Sequence, residues 1–315
     1  MDLRWISHRA DVSPLRYAGG KRKLAVLIAQ IFARAQVRPR LLIEPFAGGA
    51  SVAIALLEAD FVDNIALSDS DELVAGLWQT VFSDDAERLA RLVERATVTM
   101  AERKRVIASR PRSNLGLAYK CIFLNRTSFS GILKSTAGVV GGKQQRGHYK
   151  IGCRFNRARL AERIRELSAL RDRVQFARCQ SYAETIAQIA STELARSSPE
   201  SVFWYFDPPF FERADRLYRK TFTPADHLAF REALGEIPGH FVLSYDDVPA
   251  SEELYGGDPR LIRLGMQYVG GAACERPTVT ELIISDLTPD GGAKISINHK
   301  TRSVLNAYMP KRTRR

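Results

Sequence analysis

The stretch Arg40-Leu41-Leu42-Ile43-Glu44-Pro45-Phe46-Ala47-Gly48-Gly49-Ala50, followed after one helix length by Asn64-Ile65-Ala66-Leu67-Ser68-Asp69, decides the fold. The first apolar run is too short for a helix and stops at a proline and a glycine pair, as a buried strand does when it enters a turn. Ser51 to Ala59, rich in Ala, Leu and Ile, reads as a helix, and Asn64 to Ser68 as a second strand ending at Asp69. Strand, glycine turn, helix and strand in that order form a βαβ unit, which implies a parallel sheet with helices on its faces.

Working outward, Val202-Phe203-Trp204-Tyr205-Phe206 is a third buried strand. It must stop at Asp207-Pro208-Pro209, because two prolines cannot continue a hydrogen-bonded ladder. Val174-Gln175-Phe176-Ala177, His240-Phe241-Val242-Leu243-Ser244 and Glu281-Leu282-Ile283-Ile284-Ser285 add further strands, and Thr223-Pro224 opens a helix with Thr as N-cap. Between Gln79 and Asn156 the pattern changes. Asp84 to Ser109 and Leu115 to Leu124 show helical spacing, and Gly138 to Gly142 with Lys143, Gln144, Gln145 and Arg146 reads as a polar loop. The expected architecture is α/β, a doubly wound mixed sheet formed by residues 1–78 and 158–315, with a helical domain inserted at 79–157.

The net charge of +12 is concentrated in that insert: from Arg103 to Ala161 there are fourteen Lys or Arg and no Asp or Glu, and subtracting those fourteen leaves the rest of the chain at about −2. A partner carrying many phosphates accounts for such a window better than an ordinary solvated face, which mixes signs. The apolar stretches are too short for a membrane span, and the charged N-terminus Met1-Asp2-Leu3-Arg4 does not resemble a secretion signal. Cys121, Cys153, Cys179 and Cys274 have neither C-x-x-C nor zinc spacing, so no metal site is expected. Reduced, scattered thiols suit a cytoplasmic protein.

Two constellations carry chemistry. Gly48 and Gly49 let the backbone come close to a ligand at a helix start, and Asp69 ends the next strand, where a doubly wound sheet holds a carboxylate against the ribose of an adenosine cofactor. The G-x-G-x-x-G fingerprint of nicotinamide enzymes is absent. The second is Asp207-Pro208-Pro209-Phe210. An exocyclic base amine is a poor nucleophile because its lone pair is delocalised. Asp207 and the Pro208 carbonyl can accept from its two N–H bonds and free that pair for a methyl sulfonium, while Phe210 can stack on an extruded base. The quartet alone does not separate adenine N6 from cytosine N4. Leu15-Arg16-Tyr17-Ala18-Gly19-Gly20-Lys21 could bring backbone and a counter-ion, Lys21, to a ligand carboxylate, or could be only a flexible loop.

Together and in this order these motifs, with Asn125-Arg126-Thr127-Ser128-Phe129-Ser130-Gly131, resemble the Dam-type, alpha-ordered adenine-specific DNA methyltransferases, closest to stand-alone forms of phages, mobile elements and restriction systems. The similarity runs from about Leu15 to Asp286. The resemblance implies methyl transfer from S-adenosylmethionine to adenine N6 in a short recognition sequence of double-stranded DNA, after base flipping, in a bacterial or mobile-element setting where a companion restriction endonuclease is possible. It implies that Tyr17, Gly19, Gly20 and Lys21 meet the methionine end of the cofactor, that Glu44, Phe46, Gly48 and Gly49 line its pocket, and that Asp69 binds the ribose. It further implies that Asp207, Pro208, Pro209 and Phe210 hold the adenine, with Asp207 beside the donor as well. The insert becomes the target-recognition domain, with Arg126, Ser128 and Lys134 as DNA contacts; Arg146 and Lys150 join Lys134 as candidates from the acid-free window. There are departures: Tyr17 stands where Trp is usual, Asp71 where Asn is common, and Phe210 for Tyr. Gln180-Ser181-Tyr182 replaces an acidic residue followed by Phe or Ala, so Gln180 would accept from the cofactor adenine with a side-chain oxygen. Methylation of cytosine N4, an RNA substrate, and a catalytically weak DNA-binding module that keeps the fold stand as alternatives.

Overall fold

Strands buried on both faces read as unbroken apolar runs, and the centre of this sheet is made of them. The computed structural model describes residues 12–16, 21–212, 214–267 and 278–287. Every residue of β1 (Leu41–Glu44) and β4 (Val202–Phe206) is buried, as are the central residues of β2 (Asn64–Asp69) and β5 (His240–Asp246). With β3 (Val174–Cys179), β6 (Leu261–Gln267) and β7 (Thr278–Ser285) they form a seven-stranded sheet in the order β3-β2-β1-β4-β5-β7-β6. The first five strands run parallel, and β7 is antiparallel to both β5 and β6.

Side chains alternate between the two faces, as a period of two requires. Leu42, Ile65, Leu67, Phe203, Tyr205, Val242 and Ile283 join one apolar cluster. Leu41, Ile43, Ala66, Trp204, Phe206, Leu243 and Ile284 join the other. The first face is covered by α1 (Arg22–Ala35), α2 (Ser51–Glu58) and α3 (Glu72–Val81). The second is covered by α8 (Tyr182–Ala190), α9 (Glu193–Ser197), α11 (Pro224–Ala233) and α12 (Pro249–Tyr255). The short α10 (Ala214–Leu217) lies between β4 and α11. Helix α11 opens as its sequence dictates: the Thr223 hydroxyl accepts from the Asp226 amide, the Asp226 carboxylate accepts back from Thr223, and Pro224 occupies the first turn.

The segment 79–157 contributes α4 (Ala86–Glu94), α5 (Met100–Ala108) and α6 (Asn114–Thr127), then a loop with two short helical turns. Its buried residues, among them Leu89, Val93, Val106, Cys121, Phe123 and Phe155, belong to the same cluster as α1, α2 and α3. It therefore shares the core of the α/β layers instead of building its own. The boundary drawn at 78 falls inside α3, because that helix continues to Val81. The other boundary coincides with the start of α7 (Arg157–Ser168), which the sequence reading did not mark. Edge strand β6 was also not marked: Leu-Ile-Arg-Leu-Gly-Met-Gln has mixed polarity and pairs on one side only.

In this topology the chain leaves β1 in one direction to β2 and β3, and later returns on the other side with β4 and β5. A crevice forms outside the carboxyl ends of the strands where the order reverses. Glu44, Asp69 and Asp207 sit at that edge, at or just past the ends of β1, β2 and β4.

Candidate active site

The first half of the site is the turn between β1 and α2. Gly48 adopts φ 44°, a left-handed conformation natural to glycine, and Ala50 follows it at φ 46°. Three bonds fix this turn. The Gly48 amide donates to Asp69 Oδ2 at 2.9 Å, the Ala47 amide to the Ser68 carbonyl at 2.9 Å, and the Trp78 indole donates to the Gly48 carbonyl at 2.9 Å. Ala50, the N-cap of α2, has no side chain for capping; Glu44 Oε2 takes that role by accepting from the Ala53 amide at 3.0 Å. Burial holds the Glu44 carboxyl well above the usual range, and both Asp69 and Asp207 push it further, so the three acids share one electrostatic neighbourhood. Asp69 also accepts from the Asp71 amide at 2.8 Å. Burial and the Asp71 charge raise its pKa to about 7, against the pull of those two backbone donors.

A carboxylate offers about four lone-pair sites, and the backbone uses one on each oxygen of Asp69, so two remain for hydroxyl donors. Gln180 lies beyond β3, with its amide nitrogen donating to Thr185 Oγ1 at 3.0 Å and Gln188 Oε1 at 3.1 Å. With both of these bonds made by the nitrogen, its side-chain oxygen is left as an acceptor. Phe46 forms a wall with Tyr182, Phe222 and Phe230, ring centroids 5.5–5.7 Å away.

The second half is built around Asp207. Its Oδ1 accepts from Ser244 Oγ at 3.1 Å, and Tyr205 OH lies 3.1 Å from that same Ser244 oxygen. Lys21 Nζ stands 3.4 Å from Asp207 Oδ1 and 2.6 Å from Glu281 Oε1. Burial raises the Asp207 pKa, and Lys21 and Ser244 draw it part of the way back. Burial alone would lower Lys21, but Asp207 and Glu281 outweigh it and hold the ammonium above its usual value. Pro208 is buried, and among the described residues nothing donates to its carbonyl. Phe210 meets Tyr218 edge to face at 5.8 Å, with Lys21 Nζ 5.2 Å from its ring centre. The loop after Pro209 is pinned by Asp246, which accepts from the amides of Phe211 (3.1 Å) and Glu212 (3.2 Å). The Phe211 ring stacks 3.8 Å from His227, whose Nδ1 is bonded to Tyr245 OH at 2.7 Å. Burial lowers the His227 pKa to about 4, which keeps the stacked ring neutral.

Carboxylates gathered beside a glycine turn at the carboxyl edge of the sheet, with a half-buried aspartate that precedes two prolines, suit group transfer to an amine. A family model, that of the D12 class N6 adenine-specific DNA methyltransferases, matches residues 17–267. The chain belongs to this family. It is an adenine-specific DNA methyltransferase and uses a methyl donor, and its mixed seven-stranded α/β fold is a methyltransferase fold. No curated protein matches it. Among solved structures it is similar to a candidate RNA methyltransferase from Pyrococcus horikoshii, at 9% identity and TM-score 0.39 over 90% of this chain and 94% of that one. It is also similar to the rRNA methyltransferase aviRa from Streptomyces viridochromogenes, at 15% identity and TM-score 0.37 over 89% of each.

Of the methyltransferase residues singled out from sequence, Tyr17, Gly19 and Gly20 lie outside the described residues. Glu44, Gly48, Asp69, Asp207, Pro208 and Lys21 gather at one edge of the sheet. The expected DNA contacts divide. Ser128 is 1% exposed and accepts from Arg103 Nη2 at 3.1 Å, so it serves the interior and does not face DNA. Arg126 is half-buried and donates through Nε and Nη2 to the Pro14 carbonyl, and the half-buried Lys134 donates to the Asp215 carbonyl, so both hold segments of the protein together. Arg146 and Lys150 are exposed, together with Phe129 (64%) and Tyr149 (62%).

The sequence reading gave no site role to four residues. Glu281, Asp246 and His227 are described above. The fourth is Asn125, which accepts from the Arg16 amide at 2.7 Å and donates to the carbonyls of Arg16 (2.9 Å) and Gly131 (2.8 Å). Gly131 is at φ 75°, and a Cβ there would lie 1.8 Å from the Arg16 carbonyl oxygen. The Asn125–Gly131 motif thus clamps the segment that leads to Lys21. The one available signal was the polarity of Glu281 and Asn125 inside otherwise apolar elements. Among the described residues, none form a metal-binding group of His, Cys, Asp or Glu, and no helix is long and apolar enough to cross a membrane.

Proposed function

We propose that the methyl donor is S-adenosylmethionine, bound across the Gly48 turn, and that the adenine enters the Asp207–Phe210 side of the crevice after leaving the duplex. The residues present fit such a donor. Asp69 has two unused acceptor positions for ribose hydroxyls, Gly48 leaves its backbone open to close approach, and the Gln180 oxygen can receive an amine. The bound donor supplies an electrophilic methyl group on a sulfonium, which departs as a neutral thioether with the electron pair of the broken C–S bond.

The chain itself supplies geometry and charge. Asp207 accepts one N6–H bond and the Pro208 carbonyl the other, which pyramidalises the nitrogen and turns its lone pair toward the methyl carbon. As the N–C bond forms, positive charge grows on N6, and the ionised Asp207 stabilises it and takes the surplus proton. Phe210 offers the base a stacking face. Exposed Lys143, Arg146 and Lys150 lie in the same loop segment as the exposed Tyr149 ring, and this face is the proposed phosphate-contacting surface.

The observation that carries this reading is the pairing of a half-buried Asp207 with a Pro208 carbonyl to which no described residue donates, beside the Asp69–Gly48 turn. The test is methylation of plasmid DNA by purified protein with S-adenosylmethionine, followed by digestion to nucleosides and mass spectrometry. N6-methyladenine is expected with the natural chain, and at least about a hundredfold less with Asp207→Ala at an unchanged melting temperature. Comparable product from the variant would overturn the assignment.

A further inference from the structure

Glu281 occupies a position that stability alone does not explain. It lies on β7, 2% exposed, directly opposite Asp246 in the antiparallel β5–β7 register. Like charges opposed across two strands repel. Asp207 adds a second negative neighbour, and burial together with these acids keeps the Glu281 carboxyl above its usual pKa despite Lys21. Its Oε1 takes the 2.6 Å bond from Lys21, and its buried Oε2 has no partner among the described residues. A buried carboxylate oxygen without a donor has lost its water and gained nothing in exchange, which is destabilising.

The distances around Lys21 suggest what this costly arrangement achieves. Lys21 Nζ is 2.6 Å from Glu281 and 3.4 Å from Asp207. Were Glu281 neutral, Asp207 would be the nearest anion for a buried ammonium, and Lys21 would close onto Oδ1. It would then occupy an acceptor site that the amine needs and cancel the charge that stabilises the transition state.

We propose that Glu281 is a positioning residue that holds the Lys21 ammonium back from Asp207, close enough to keep that aspartate ionised and far enough to leave it free to accept from the target amine. This rests on the role of Asp207 given above. The groups facing the Lys21–Glu281 pair and its neighbours are Asp246 on β5, Tyr205 and Asp207 on and after β4, Tyr218 ahead of α11, and Glu44 on β1.

The test compares Glu281→Gln and Glu281→Asp with the natural chain. In Glu281→Gln, kcat should fall about ten- to a hundredfold while KM for DNA stays within about twofold, since only a charge near the reacting atoms has moved. The acid limb of the kcat profile should shift to lower pH, because Asp207 loses a negative neighbour and gains the whole of Lys21. Glu281→Asp, which keeps the carboxylate, should return the limb toward its natural place. A readout independent of turnover is the side-chain ammonium signal of 15N-lysine-labelled protein, with Lys21 identified by its loss in Lys21→Arg. That signal should move in Glu281→Gln and move by a smaller amount in Glu281→Asp. An unmoved Lys21 signal in Glu281→Gln overturns the proposal, as does a fall in melting temperature with kcat and its acid limb unchanged. If the natural chain methylates nothing, the activity reading fails, and the Lys21 signal still decides whether Glu281 holds that ammonium. Should Glu281→Gln not fold, Glu281→Asp carries the comparison. A shorter carboxylate should loosen its hold on Lys21 and lower kcat, and natural values for both its kcat and its Lys21 signal would count against positioning.

Discussion

Asp69 should make donor binding pH-dependent in a direction fixed by its surroundings. The unliganded carboxyl titrates at about 7 because burial and Asp71 disfavour its charge. In the unfolded chain it titrates near the ordinary aspartate value, so between about 4 and 7 the folded protein binds a proton that the unfolded chain does not. Stability without ligand should therefore decline as pH rises through that window. Ribose hydroxyls donate to the ionised form, so binding expels the proton and the affinity rises with pH. A group titrating near 7 is about one-eleventh ionised at pH 6 and ten-elevenths at pH 8, so the dissociation constant should fall about tenfold between them. In Asp69→Asn this slope should vanish. Losing one bond to a charged acceptor costs about 1.5–3 kcal/mol, or about ten- to 150-fold in affinity at pH 8. The Asn amide also presents a donor to either the Gly48 or the Asp71 amide, so a lower melting temperature accompanies the change. Isothermal titration with S-adenosylmethionine at pH 6, 7 and 8, in two buffers of different ionisation enthalpy, reads both affinity and proton release. A natural chain whose affinity is flat across this range, or an Asn variant that binds within twofold of it, would refute the reasoning.

Two further expectations concern the frame. Arg163 is 1% exposed and binds Glu58 with Nη1 (2.7 Å) and Nη2 (2.8 Å), and the Val12 carbonyl with Nε and Nη2. Arg163→Ala removes both bonds to Glu58 and both to the Val12 carbonyl and should cost about 1.5–3 kcal/mol in denaturant unfolding; a loss below about 1 kcal/mol would show that the network contributes little. On the basic face, replacing Lys143, Arg146 and Lys150 together by Gln should reduce the slope of log affinity for DNA against log salt by about 0.9 for each phosphate no longer neutralised. Lys134→Gln should change that slope less, because Lys134 is half-buried while Lys143, Arg146 and Lys150 are exposed, and a triple variant with the natural slope would place the DNA surface elsewhere.

The strands at the centre of the sheet were legible because burial on both faces leaves an apolar run that little else produces, and Pro45 and Pro208 mark where two of them stop. The placement of Asp69 and Asp207 at strand ends was legible because an apolar run that stops at a polar residue or a proline marks such an end. Ser128, Arg126 and Lys134 were misplaced for one reason: charge and polarity in sequence do not say whether a side chain meets solvent or a carbonyl of its own chain. Arg126 finds Pro14, 112 residues away, and Lys134 finds Asp215, 81 away. Glu281 was missed because its partner Lys21 is 260 positions distant and pairs with it only after β7 has inserted between β5 and β6. The edge strand β6 was missed because Arg263, Gly265 and Gln267 interrupt its sequence, so it lacks the apolar run that betrays the others.

The chain carries +12 overall, yet the crevice gathers Glu44, Asp69, Asp207, Asp246 and Glu281 around one buried lysine. The topology achieves this separation. Carboxylates placed at or just past the ends of strands converge on one edge of the sheet, while the cations of 103–161 ride on helices and a loop outside it. Each sign then suits a different partner: the outer surface a polyanion, the inner crevice a donor whose reacting sulfur is a cation. The two should also respond differently to salt, since exposed charges are screened within about 10 Å at 0.1 M and buried ones much less. Rising ionic strength should therefore weaken DNA binding steeply while leaving donor affinity nearly constant, and that divergence follows from where the sheet puts its charges and not from how many it has.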